Sequence, residues 1–113
     1  MNEVTPDYLY KVLSWENWEA SREFDTLELP PEDAAFIHFS KEDQLERILT
    51  KFWADVEQYV VLKIETQALI GRLVFEPNRG RKTKYYHLYD GAIPKCSIIE
   101  VQNKKTTGSF SNS

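Results

Sequence analysis

The residues of this chain able to do chemistry are few, and they fall in groups. His38 and Ser40 lie within Phe36-Ile37-His38-Phe39-Ser40. The two-residue period of a strand turns Phe36, His38 and Ser40 to one side, opposite Ile37 and Phe39. An imidazole and a hydroxyl on one face, at a strand end followed by a helix start, is where ligand groups gather, because backbone donors and the helix dipole converge there. The same pattern also fits a histidine satisfied by backbone bonds and a serine that only caps the helix. A second group, Tyr85-Tyr86-His87-Leu88-Tyr89, sets Tyr85, His87 and Tyr89 on one face, which suits either stacking against a planar ring or cross-strand packing. Glu76 closes the apolar run Leu73-Val74-Phe75-Glu76 just before a proline and is the candidate acid; exposure at a strand end is its plainer reading.

Several familiar chemistries are excluded. There is no G-x-G-x-x-G, no P-loop and no G-x-S-x-G. With His38, His87 and Cys96 as the soft ligands, a zinc site would need an improbable coincidence of geometry, so no metal is expected. The single Cys96 forms no internal disulfide, and its place beside Ile98 and Ile99 predicts a buried thiol acting as a small hydrophobe.

Charge is unevenly distributed. The net charge is −4 over 113 residues, which disfavours wholesale capture by nucleic acid or anionic lipid. Residues 1–46 hold twelve acids against three bases, while residues 47–113 hold six acids against eleven bases. The basic excess is densest at Arg79, Arg81, Lys82 and Lys84 around Gly80, a segment that reads as a solvated turn or a phosphate-facing loop.

These groups need elements to hold them. Alternation over Tyr8–Leu13 predicts a strand, with Ser14 capping a helix over Trp15–Phe24 that packs by Trp15 and Trp18. Pro30-Pro31 forbids a continuing helix, so a loop leads to a short strand over Ala34–Phe39. Leu45, Ile48, Leu49, Phe52, Trp53 and Val56 recur at spacings of three and four, predicting a helix over 41–58 with Ser40 and Asp43 in a capping-box-like start. The continuous apolar run in Tyr59–Ile64 predicts a strand in the middle of a sheet. Three short strands follow, Leu73–Glu76, Lys84–Tyr89 and Ser97–Val101, with turns at Pro77–Gly80 and Asp90-Gly91.

The order strand, helix, strand, helix, then four strands predicts an α+β fold in which two main helices pack on a mixed sheet of about six short strands. A single domain over 8–102 is expected, with flexible termini at 1–7 and 103–113. No apolar run approaches the roughly 20 residues of a membrane span, and Met1–Asp7 lacks the features of a signal peptide, so a cytoplasmic location and no membrane partner are the expectation.

On these residues the chain resembles the family called domain of unknown function 952. The resemblance covers about residues 8–101 and rests on Tyr8-Leu9-Tyr10-Lys11, Trp18, Phe36-Ile37-His38-Phe39-Ser40 with Gln44, Phe75-Glu76-Pro77, and His87-Leu88-Tyr89 with Gly91. It implies a split-sheet fold similar to the ADP-ribosyltransferase and RNA phosphotransferase superfamily, whose members grip NAD in a cleft. It also implies that His38 and Ser40 hold the nicotinamide riboside, with Gln44, Glu76, His87 and Tyr89 at other motif positions. The chain departs from the pattern at Lys11, where a His is usual, at Phe39 for a common Cys, at Ala35 for Gly, and at Asp90, an added residue.

The leading expectation is therefore an NAD or ADP-ribose binder. His38 and Ser40 bond the amide and ribose, Tyr85 or Tyr89 stacks the ring, Lys11 and the Arg79–Lys84 loop neutralise pyrophosphate, and Glu76 or His87 serves as general base if ADP-ribosyl transfer follows. The competing expectation is a non-catalytic protein-binding module on the same fold. Nucleic-acid binding through the basic loop and its tyrosines is a third reading that the net charge weakens.

Overall fold

A computed structural model describes residues 5–105 of the protein. The chain runs β1 (Tyr8–Ser14), α1 (Trp15–Ala20), β2 (Ile37–Phe39), α2 (Glu42–Phe52), β3 (Gln58–Glu65), β4 (Ile70–Pro77), β5 (Lys84–Ala92) and β6 (Ile98–Lys105), with short 3₁₀ turns at Pro31–Asp33, Thr66–Ala68 and Lys95–Ser97. The strands form two three-stranded sheets, ordered β1-β3-β6 and β2-β5-β4. Every pairing is antiparallel, so the expectation of a mixed sheet is corrected. The short turn from β4 to β5 permits only an antiparallel pair, and the two helices link β1 to β2 and β2 to β3, which are not neighbours in either sheet, so neither helix serves as the crossover of a parallel pair.

One face of each sheet is apolar, and the two close on a common core. Leu9 and Leu13 of β1 lie beside Val60, Leu62 and Ile64 of β3, and meet Ile37 and Phe39 of β2 with Tyr86 and Leu88 of β5. Trp15 and Trp18 of α1 pack against this cluster, as their spacing predicts. β3 is central in its sheet and four consecutive residues, Tyr59–Leu62, are buried, which matches its unbroken apolar run.

Several boundaries differ from expectation. α1 ends at Ala20 because the buried Ser21 hydroxyl donates to Asn17 O (2.7 Å) and accepts from Glu28 N (2.8 Å), turning the chain away. α2 begins one residue later than expected: Lys41 is the N-cap, its N–H donating to Gln44 Oε1 (3.0 Å), while Ser40 belongs to a strand bridge. α2 also stops at Phe52, and the following Trp53 packs on Tyr59 at a ring distance of 5.1 Å. Asp90-Gly91 is a bulge inside β5 and not a turn. Asp90 has φ 54°, the register skips between Ile70 and Arg72, and a Cβ on Gly91 would sit 1.8 Å from Ile70 O. Cys96 is exposed on a 3₁₀ turn, against the expectation of burial. At the termini, Thr66 Oγ1 and N bond the Pro6 and Asp7 carbonyls, and β6 runs on to Lys105; residues 1–4 and 106–113 of the expected flexible ends lie outside the described residues.

Candidate functional site

The two sheets touch edge to edge at one place. Tyr10 N donates to Ser40 O (2.8 Å) and Ser40 N to Tyr10 O (2.9 Å), after which β1 and β2 separate. A continued antiparallel ladder would pair Val12 with His38 next, and the same alternation turns the peptide groups of both residues into the gap. His38 finds substitutes. Its N–H donates to Asp33 Oδ1 (3.2 Å), and its carbonyl accepts from Lys11 Nζ (2.9 Å). Lys11 Nζ also donates to Asp33 Oδ2 (2.7 Å), so a buried ion pair stands where a strand would otherwise be. Val12 N–H and C=O are left facing the opening.

That opening is a cleft of roughly 650 Å³. Lys11, Asp33, His38 and Ser40 belong to its polar lining, Ile48, Phe52, Trp53 and Val56 to its apolar lining, and Asn78 and Tyr85 line it as well. Its volume and its mixture of apolar wall with a few convergent polar groups are those of a small-molecule site. The apolar face of α2, expected to pack into a core, instead walls the cleft, and Phe52 is 58% exposed.

Electrostatics hold the polar lining together. Burial pushes the Lys11 ammonium below its ordinary pKa, opposed by Asp33. Burial acts to raise the Asp33 carboxyl, but hydrogen bonds from His38 and the charge of Lys11 outweigh it and hold the carboxyl below its usual range. Asp33 Oδ1 lies 2.7 Å from His38 Nδ1, which fixes the ring and assigns Nδ1 as the donor. Nε2 has no partner among the described residues, on a side chain 37% exposed that lines the cleft.

A second histidine sits directly across the ladder. His87 of β5 is the register partner of His38, and the imidazoles lie 5.3 Å apart, edge on. His87 Nδ1 meets Glu76 Oε2 (2.8 Å), Nε2 meets Asn78 Oδ1 (2.9 Å), and Phe36 stacks on the ring at 4.2 Å. The Tyr89 hydroxyl donates to the same Glu76 oxygen; that bond, then those from His87, draw the Glu76 carboxyl down, and the Glu76 bond raises the Tyr89 hydroxyl.

The sequence-predicted residues therefore divide. Lys11, His38, Ser40 and Tyr85 line the cleft. Lys11, expected at a phosphate, is 5% exposed and donates to Asp33 and to His38 O. Gln44 lies outside the lining and uses its amide on the α2 cap and on Lys84 O (2.8 Å). Glu76, His87 and Tyr89 form the neighbouring cluster, joined to the cleft through Asn78. Asn78 also starts the basic turn, accepting from Arg81 N (2.9 Å), with Arg79, Arg81 and Lys82 exposed beyond it. Sequence reasoning missed Asp33 and Asn78. Asp33 had a signal: Lys11 stands between Leu9 and Leu13 on the inward face of β1, and a buried lysine demands a buried acid. Asn78 had none.

Among the described residues no three His, Cys, Asp or Glu side chains converge as a metal site, and no helix is long and apolar enough to cross a membrane. A family model described as a protein of unknown function, DUF952, matches residues 10–101. Among solved structures, the chain is similar to protein CC0527 from Caulobacter crescentus, with a TM-score of 0.73 and 26% identity over 85% of this chain and 84% of that one. A double methionine mutant of CC0527 gives a TM-score of 0.72 and 25% identity over the same shares. No curated protein matches the chain.

Proposed function

We propose, on the premise that the chain belongs to the DUF952 family of proteins of unknown function, that the gap between β1 and β2 binds a nucleotide of the NAD or ADP-ribose class. The observation that carries this is His38 itself: a histidine whose Nδ1 and backbone are all held by buried partners, leaving Nε2 on a 650 Å³ cleft. Fixing one face of an imidazole while freeing the other is how a protein builds a directed hydrogen-bonding or proton-accepting group. Beside it, the Val12 peptide offers a donor and an acceptor and Ser40 lies two residues along the strand, a set suited to an amide and a sugar hydroxyl. Tyr85 supplies a ring for a planar base. With Lys11 neutralised by Asp33, the phosphates fall to the exposed Arg79, Arg81 and Lys82, which follow Asn78 of the cleft lining. The family resemblance implies a split sheet that grips NAD in a cleft, and two sheets that part at a bridge support that reading.

ADP-ribosyl transfer is the further reading. The bond from the NAD ribose to nicotinamide breaks and nicotinamide leaves with the bonding pair, an acceptor nucleophile bonds the ribose C1′ and gives up its proton to solvent, and the chain must supply a carboxylate near the oxocarbenium-like centre. Glu76 is bonded to His87 and Tyr89 outside the cleft lining, whereas Glu32, exposed and free of ion pairs among the described residues, lines it. In this reading Glu32 takes the electrostatic role, and Glu76, His87 and Tyr89 act as positioning residues through Asn78.

The test is a two-dimensional NMR titration of the labelled protein with NAD, ADP-ribose and nicotinamide, alongside folded His38→Ala. Saturable shifts at Val12, His38, Ser40 and Tyr85 that vanish in the variant are expected. No shift at millimolar ligand overturns the nucleotide reading.

A further inference from the structure

β6 is the outer strand of its sheet, with β3 on one side and no strand on the other among the described residues. It is eight residues long, contains no proline, and exposes Ile99 (49%) and Val101 (45%). A long edge with apolar exposure is a template for strand addition, which proteins ordinarily blunt with lysines. Here the lysines stand at one end only, Lys104 and Lys105, and Glu100 stands at the other.

The register shows which backbone groups are open. Because Tyr10 bonds Ser40, alternation makes Lys11 and Leu62 a hydrogen-bonded pair, so Val61 and Lys63 of β3 turn to β6 and bond Gln102 and Glu100. The peptide groups of Val101, Asn103 and Lys105 therefore face outward. We infer that this edge pairs with β6 of a second copy, antiparallel about a two-fold axis at Gln102. In that register Val101 opposes Asn103 of the other copy, so outward peptide groups meet outward peptide groups. Glu100 opposes Lys104, twice by symmetry. Charge selects this register over its neighbours: a shift by two residues along either strand loses both pairs. The side chains are free to engage. Neither Glu100 nor Lys104 has an ion pair within the described chain, and Lys63, the cross-strand neighbour of Glu100, places its ammonium over the Tyr8 ring at 4.8 Å. The product is a continuous six-stranded antiparallel sheet, with Val101 of each copy sheltered diagonally across the axis. A closed two-fold pairing removes the exposed edge from both partners.

Sedimentation velocity of the full chain across a micromolar concentration range tests this. A concentration-dependent dimer is expected for the wild type. Glu100→Lys and Lys104→Glu each set like charges opposite one another twice, weakening dimerisation about tenfold or more. The double variant restores it, and mixing the two single variants forms a heterodimer that neither forms alone. Val101→Pro removes an outward N–H while leaving the bonds to β3, and yields a folded monomer by circular dichroism. A wild type that stays monomeric throughout, or single charge variants that dimerise as the wild type does, overturns the inference.

Discussion

His38 and His87 face each other across β2 and β5, and each has a carboxylate on Nδ1, Asp33 at 2.7 Å and Glu76 at 2.8 Å. What separates them is the other nitrogen. His87 has Asn78 on Nε2 and its side chain is 1% exposed, whereas Nε2 of His38 opens on the cleft with the side chain 37% exposed. The acids differ too. Asp33 is buried and neutralised by Lys11; Glu76 is partly open and is held by hydrogen bonds from Tyr89 and His87. One residue type, one kind of partner and one ladder rung thus yield a group facing the cleft and a group packed beside it. The side on which the sheet splits decides which is which.

The comparison is broken most violently at the acids. Asp33→Ala leaves Lys11 buried and unpaired and should cost about 3–5 kcal/mol in urea denaturation, whereas Glu76→Ala, at a more open site, should cost clearly less. Pairing Asp33→Asn with Lys11→Met removes both charges and should recover much of the loss. If the two acids prove equally costly, the ion pair is not the support claimed for it.

His87→Ala opens a cavity under Phe36 and takes one partner each from Glu76 and Asn78; a loss of about 2–4 kcal/mol is expected. His38→Ala takes a bond from the buried Asp33 but removes a ring that is 37% exposed, and should cost about 1–2 kcal/mol, less than His87→Ala, while abolishing ligand binding. Reversed sensitivities would exchange the roles of the two histidines.

The pH dependence sharpens the point. The Asp33 carboxyl is held below its ordinary value of 3.8 in the folded protein, so its contribution is complete above that value and is lost as pH falls through the lower folded value. Urea midpoints measured from about pH 5 down to 2 should fall for the wild type, with part of that fall missing in Asp33→Asn. An unchanged acid limb in the variant would show that Asp33 is not anchored as described.

How far the sequence reaches follows the same division. Local signals were legible: the Leu9 and Leu13 alternation, the Ser14 cap that accepts from Asn17 N, the central β3, and the shared face of His38 and Ser40 on the cleft. What stayed hidden depends on separation along the chain. Lys11 and Asp33 are 22 residues apart: the alternation of β1 turns Lys11 inward, but only the fold chooses that acid as its partner. The α2 stripe is a core pattern by period, and only the parting of the sheets makes it a wall. Asp90-Gly91 carries turn chemistry that a bulge uses equally well.

The most direct test of the central claim follows the imidazole nitrogens and carbons of both histidines by NMR during titration with ADP-ribose. The His38 Nε2 and ring signals are expected to shift saturably while those of His87 shift little, and His38→Ala is expected to abolish all ligand-induced shifts. Movement of His87 alone, or of neither histidine at millimolar ligand, would contradict it.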